Sequence, residues 1–549
     1  MAALYDTAAC DEHRAPVASL GYTPRQAERT VLHQVVRENL ETFLATTARA
    51  EPAGLPAFLE QEFRGFLDCG VWARGFARFQ CDGCHAETLV PFSCKRRGFC
   101  PSCGGRRMAA GAAELVDHIL PHVPIRQWVL SLPHALRYRL AWDHALCRAV
   151  LRVYTRALLG FERRRGRRRG IVDGRSGTVT AIQRFGGGLQ LNVHFHTLVI
   201  EGVFATAPDG TMRFDPAPPP TDREVARLLA TIRTRILRLL RRRGVLAAED
   251  AADIEADPLA TDAPVLAQLS AAAVRGRSAF GDRAGTPVLR VGNAPDAPWV
   301  WTVGPRHAHL ERFDLHADRA VCADDRLGLE RLCRYLLRPP LAQERLSRLA
   351  DGRVVCTLRH PWHDGTRHLI FTPHEFLERL AAITPRPRIN LVIYHGLLAP
   401  RARRRPRVSD DPAVVTPPVP LSTASALLAP PMASGPATPS TAASPAPSPI
   451  PPPASAPELT PSAVRPAPSL SPPAAQRLQH AWAWADLMRR VFSIDVLACA
   501  GCGGRLRFLA TIEDPPIVTK ILTHLGLPTE LPAVTPARSP PQHDGFDFP

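Results

Sequence analysis

Apolar residues recur every three or four positions through 24–50 and again through 56–68, which predicts two packing helices. A helix, a short strand at "RQWVLSLP" and a long helix at "AWDHALCRAVLRVYTRALLGF" follow within 108–160. The period then shortens to two. Residues 177–204, "GTVTAIQRFGGGLQLNVHFHTLVIEGVF", read as two strands joined at Gly186-Gly187-Gly188. A turn and strand at "APDGTMRFDP" lead to a helix whose apolar stripe is Leu228, Leu229, Ile232, Ile236, Leu239 and Leu240. Residues 245–300 are rich in Ala and Asp with no period, and are expected to form a peripheral insertion. A helix within 324–349 is stopped by Pro339-Pro340. "RVVCTLRH" and "TRHLIFTP" pair across "PWHDG"; the helix "HEFLERLAAI" and the strand "RINLVIYHGLLAP" close the domain near residue 407.

Between residues 406 and 473, 21 of 68 positions are Pro, a composition that cannot bury a core and predicts an extended disordered linker. Past it come a helix, "AAQRLQHAWAWADLMRRVF", and a single knuckle, Cys499-x2-Cys502, between short strands.

Residues two apart on a strand share a face, so His194 and His196 point together and Phe195 points away. Two imidazoles side by side on a strand suit one divalent metal with coordination positions left open for substrate oxygens. Gln190 and Asn192 fall on the same face, and Gln190 is a candidate third ligand. A second copy of the spacing, His307-Ala308-His309, lies in "GPRHAHLERF" with no clean strand around it.

Cysteine adds a second chemistry. Cys81-x2-Cys84 and Cys100-x2-Cys103, fifteen residues apart, have the spacing of one four-thiolate zinc site, with Cys94 and His85 inside the module as substitutes. Lys95, Arg96, Arg97, Arg106 and Arg107 surround it, and suit either phosphate contact or a solvated face. The basic run 163–170, "RRRGRRRG", is expected to be a loop. Formal net charge is +17, from 68 basic and 51 acidic residues, which suits a polyanionic partner such as nucleic acid. Asp6, Asp11 and Glu12 interrupt any export leader and no apolar run reaches membrane-spanning length. With paired cysteines, this points to metal binding in a reducing cytoplasm.

A phosphate polarised by metal can be attacked by water or by a tyrosine that stays bonded to the product. Of six tyrosines only Tyr335 and Tyr394 follow the histidine strand. Tyr335 lies on a helix among Arg331, Arg334 and Arg338, whereas Tyr394 lies in an apolar strand.

Together "LNVHFHTLVIEGVF", "ERLCRYLLRPPLA", "CKRRGFCPSC" and "YHGLLAP" resemble the rolling-circle insertion-sequence transposases of the HUH class, the insertion-sequence ninety-one group and its common-region relatives. The resemblance implies an α+β chain: a helical and zinc-ribbon domain over 1–110, then an antiparallel-sheet HUH nuclease over 111–405 with an insertion at about 205–310. The linker 406–473 and a C-terminal zinc-knuckle region, 474–549, follow. It further implies His194 and His196 as ligands of Mg²⁺ or Mn²⁺, structural Zn²⁺ on Cys81, Cys84, Cys100 and Cys103, and Tyr335 as nucleophile. The phenol would attack single-stranded DNA at element ends, leaving a 5′-phosphotyrosine bond and a free 3′-OH. Some relatives carry two tyrosines as "YLxRY"; here "RLCRY" has Arg331 at the first, which implies a single-tyrosine member with Tyr394 as second choice. A zinc-ribbon DNA-binding regulator without catalysis, or an HUH replication initiator, would also use much of this equipment.

Overall fold

The computed structural model describes residues 25–245, 257–292, 304–362, 364–402 and 484–538. The expected linker, 406–473, lies outside the described residues. Among them no helix is long and apolar enough to cross a membrane.

Helix α1 (Val31–Ala50) starts where Thr30 Oγ1 accepts the His33 amide, and buries Leu32, Val35, Val36, Leu40 and Phe43 along one stripe. Helix α2 (Ala57–Leu67) packs beside it, with Phe63 and Phe66 closing on Phe99 at centroid distances of 4.9 and 5.2 Å. A hairpin of β1 (Phe76–Cys81) and β2 (Glu87–Pro91) precedes α3 (Pro101–Glu114), whose proline at the first helical position needs no amide partner.

Next come β3 (Ile125–Ser131), α4 (His134–Trp142), α5 (His144–Arg168), β4 (Gly177–Phe185) and β5 (Leu191–Ile200). The predicted hairpin is thus present, with its strands joined across the glycines. Outside them lie β6 (Gly202–Thr206), β7 (Met212–Pro216) and α6 (Asp222–Arg242), then α7 (Pro258–Asp262), α8 (Pro264–Arg275) and β8 (Leu289–Val291). Strands β9 (His307–Leu310), β10 (Phe313–His316) and β11 (Ala320–Val321) lead to α9 (Arg326–Leu337). Strands β12 (Leu346–Arg348), β13 (Val354–Thr357) and β14 (His368–Phe371) form a meander with β8 on its edge, followed by α10 (Pro373–Ile383) and β15 (Val392–Gly396).

The central sheet runs β15-β4-β5-β3-β10-β9, with β11 also on β3, and every pairing is antiparallel. Strand β5 lies inside this sheet, so its two faces go to different layers. Phe195 meets α5, stacking on Tyr154 at 6.0 Å. The histidine face meets α9, whose stripe Leu329, Leu332, Cys333 and Leu336 packs on Val179, Ala181 and Leu198. Helix α3 backs α9 through two glycines. A Cβ on Gly111 would stand 2.8 Å from Leu337 Cδ1, which would have to swing aside, and one on Gly104 2.7 Å from the ring of Pro339 just past α9, which cannot. Most of the apolar burial joins one continuous core that runs from α1 through α5 and α6 to α10.

The C-terminal segment returns to the N-terminal one. Strand β16 (Leu506–Ile512) pairs antiparallel with β1, Cys81 opposite Leu506, and completes the sheet β16-β1-β2.

Three expectations change. The run 163–170 is mostly helix: α5 continues to Arg168, with Arg165 buried and paired with Glu162 at 3.2 Å. The described part of 245–300 is not peripheral. Helix α8 buries Val265, Leu266, Ala267, Leu269 and Ala273 in the main core, its alanines allowing close packing without large apolar residues. His307-Ala308-His309 does lie on a strand, where His307 Nε2 meets Asp314 Oδ2 at 2.7 Å.

Candidate active site and zinc centre

Antiparallel register decides which side chains stand beside the histidines. His194 is opposite Ser131 on one side and Gln183 on the other; His196 is opposite Val129 and Ala181. Directly opposed residues share a face. The Nε2 atoms of His194 and His196 lie 3.0 Å apart. Two nitrogens about 2.1 Å from one ion and at a right angle would also be about 3.0 Å apart, so the spacing matches a divalent ion once the proton shared between the two rings is displaced.

The outer ring nitrogens are both engaged. His194 Nδ1 lies 2.9 Å from the Asn192 carbonyl oxygen, to which it donates when protonated, leaving Nε2 as the lone pair. His196 Nδ1 lies 2.9 Å from the side-chain Nε2 of Gln127 on β3. With the amide turned over, Gln127 Oε1 would accept from Nδ1–H and free the His196 Nε2 lone pair as well. Two buried amide oxygens on this face, Gln183 Oε1 and Asn192 Oδ1, have no hydrogen-bond partner, and amide oxygens suit hard cations. Gln190 is used otherwise: its Oε1 accepts the Gly188 amide at 2.9 Å and shapes the turn.

Burial, with Arg338 and Arg137 nearby, lowers His194 to about 4 against the hydrogen bond to Asn192; burial and His194 itself lower His196. Both imidazoles are therefore neutral at pH 7 and available as ligands. The unfolded chain protonates His194 below about 6.5 and the folded chain only near 4, so the histidine's support for the fold is complete above 6.5 and lost progressively as pH falls to 4. Metal-free protein is expected to lose about 3 kcal/mol of unfolding free energy across this window in urea titrations, and His194→Gln to lose less.

Tyr335 stands on the last turn of α9, half-buried. Its ring meets the His196 ring at 5.5 Å between centroids and 82° between planes. Gln183 ties helix to strand by donating to the Leu336 carbonyl at 2.8 Å. The Arg338 guanidinium lies 4.2 Å above the Tyr335 ring and 5.7 Å from that of Phe185. Tyr394 also belongs to the histidine face, opposite Val179, but on β15, two strands from β5. Strand spacing puts its Cα about 12 Å from that of His196. Beside Gln183 and Arg338 opens a cavity of about 350 Å³ lined also by Arg97, Arg107, Phe185 and Arg386. Basic side chains beside an aromatic ring, that of Phe185, suit a nucleotide strand.

The cysteines are arranged otherwise than their spacing implies. Cys100 and Cys103 gather with Cys69 and Cys94, all four sulfurs within 4.8 Å of one another. Sγ separations are 3.5 Å for Cys94–Cys103, 3.6 Å for Cys69–Cys100 and 3.9 Å for Cys69–Cys103. Disulfide sulfurs would be about 2.05 Å apart, while thiolates 2.3 Å from a tetrahedral zinc are about 3.8 Å apart. Thiol hydrogen bonds within the cluster lower Cys103 and raise Cys94 and Cys100, so the metal-free group shares its protons among the four sulfurs. Cys81 and Cys84 belong to a different group, with Cys499 and Cys502, so the single site on Cys81, Cys84, Cys100 and Cys103 is corrected. The reason is local: Cys81 ends β1 and its knuckle turns toward β16, whereas Cys100 caps α3 under α2. His85 is exposed.

Residues 35–132 match the family model described as "Transposase zinc-binding domain", and residues 177–406 match that described as "Putative transposase". No curated protein and no solved structure matches the chain.

Proposed function

Because the chain belongs to the insertion-sequence ninety-one type of transposase, with the zinc-binding domain ahead of the transposase domain, we propose that it nicks single-stranded DNA at element ends with Tyr335. The observation that supports this most strongly is the 5.5 Å edge contact of the Tyr335 ring with His196, beside two neutral, paired imidazoles. The domain is then an HUH nuclease of the single-tyrosine kind.

His194 and His196 would hold Mg²⁺ or Mn²⁺, which supplies Lewis-acid polarisation of the scissile phosphate. Arg338 and Arg137 provide positive charge next to the pair, against which a phosphodiester can be oriented. Arg97, Arg107 and Arg386 extend the basic track along the cavity. The Tyr335 phenol oxygen attacks phosphorus, the bond to the 3′ oxygen breaks, and the phenolic proton is balanced by the one the departing 3′ oxygen takes up. The products are a 5′-phosphotyrosine and a free 3′-OH, able to prime the replication that rolling-circle transposition requires.

Gln127 acts by positioning His196. Gln127→Leu is expected to keep the fold and weaken Mn²⁺ binding about 10- to 100-fold, as measured by paramagnetic resonance titration; unchanged affinity would remove Gln127 from the site. To test the function itself, labelled single strands from element termini are incubated with the protein and Mn²⁺. The expected result is a denaturation-resistant protein–DNA band together with a 3′ end that a polymerase extends. Specific DNA binding with neither product would favour a non-catalytic regulator.

A further inference from the structure

Cys81 and Cys84 are separated from Cys499 and Cys502 by more than 400 residues of chain, yet the four sulfurs lie within 4.8 Å of one another. Cys81 Sγ is 3.4 Å from Cys502 Sγ, and Cys84 Sγ is 3.6 Å from Cys499 Sγ. These separations exceed the disulfide length of about 2.05 Å and approach the roughly 3.8 Å edge of a zinc tetrathiolate. Each pair sits on a tight turn: the His85 amide donates to the Cys81 carbonyl at 3.0 Å, and the Gly503 amide to that of Cys499 at 2.9 Å. The Gly504 amide points at Cys502 Sγ, 3.4 Å away. A Cβ on Gly504 would stand 3.0 Å from Cys81 Sγ, so glycine lets the second knuckle close on the first.

We propose that the chain carries a second structural zinc, held by Cys81, Cys84, Cys499 and Cys502, that clasps its C-terminal segment onto the N-terminal domain. Cys499 and Cys502 lie beyond both matched regions, 35–132 and 177–406. The proposal does not depend on the nicking reading. Among described apolar residues of 484–538, only Leu487, Val496, Cys499, Leu506, Val518 and Leu522 are buried, too few to hold so small a segment in place unaided. What the clasp secures is specific. Helix Trp484–Phe492 buries Leu487 against Ala109 and Ala113 of α3. Arg490 bonds Asp117 at 2.6 Å and, at 2.8 Å, Glu330 on α9. Arg334, one residue before Tyr335, donates to the Val491 carbonyl at 3.3 Å. The clasp therefore ties the far end of the chain to the tyrosine-bearing helix.

Native mass spectrometry of the full chain is expected to find two zincs, and the Cys499→Ser/Cys502→Ser variant one. Hydrogen exchange should then quicken at least 100-fold over 484–492 and 506–512 but not in β4 or β5. One zinc in the wild type, or two in the variant, would overturn the proposal. Should the variant fail to fold, the wild type still decides, since Cys84 and Cys502 are exposed. Iodoacetamide is expected to spare them until zinc is chelated, whereas labelling of both in zinc-replete protein would overturn the clasp.

Discussion

Serine in place of Cys69 is expected to unfold the N-terminal domain and remove one zinc from the chain. A structural zinc contributes about 10–16 kcal/mol to folding in small domains, as much as or more than the 5–15 kcal/mol total stability of an ordinary domain. Cys69 sits just past α2 and pins it to α3 through Cys100 and Cys103, and Phe63, Phe66 and Phe99 pack in the same core. Circular dichroism should lose the cooperative melt of the helical N-terminal part, and metal analysis should fall by one ion per chain. Cys94→Ser should behave alike. Full zinc content and an unchanged melt in Cys69→Ser would mean that Cys100 and Cys103 take their partners from elsewhere, as the spacing of the two knuckles alone implies.

Tyr335→Phe is expected to reduce strand cleavage by about 10⁴-fold or more, since loss of a covalent nucleophile removes the reaction path itself. The fold should be unaffected, because phenylalanine keeps the ring against His196 and under Arg338. His194→Ala should weaken both Mn²⁺ binding and cleavage, whereas Tyr335→Phe should leave Mn²⁺ affinity within about twofold. That difference separates the nucleophile from the ligands, and cleavage assays paired with Mn²⁺ titration measure it. Wild-type cleavage by Tyr335→Phe would contradict the assignment outright.

How legible these features were depends on how far each signal reaches along the chain. The α9 stripe and the hairpin 177–204 are local patterns, so period alone placed them, and the alternation of β5 put His194 and His196 on one face. Gln183 and Gln127 were not found because they reach the histidines through strand register. A one-residue slip across the Gly186–Gly188 turn would have turned Gln183 to the other face. Gln127 additionally depends on the pairing of β3 with β5, which no turn specifies. The cysteines show the same limit. The knuckles were legible as pairs, but Cys69 has no neighbour at knuckle spacing, and nothing in the local sequence says that Cys499 and Cys502 return to Cys81 and Cys84. At 163–170 the charge pattern reads as a loop, yet the segment continues α5 and buries Arg165 beside Glu162, a burial that charge alone does not reveal.

The side chain that becomes bonded to DNA defines the mechanism. After reaction of the wild-type chain with a single-stranded terminus and Mn²⁺, nuclease trimming and peptide mass spectrometry identify the modified residue. The expected result is a 5′-nucleotide on the peptide containing Tyr335. A nucleotide on Tyr394, or cleavage with no modified tyrosine, would contradict it.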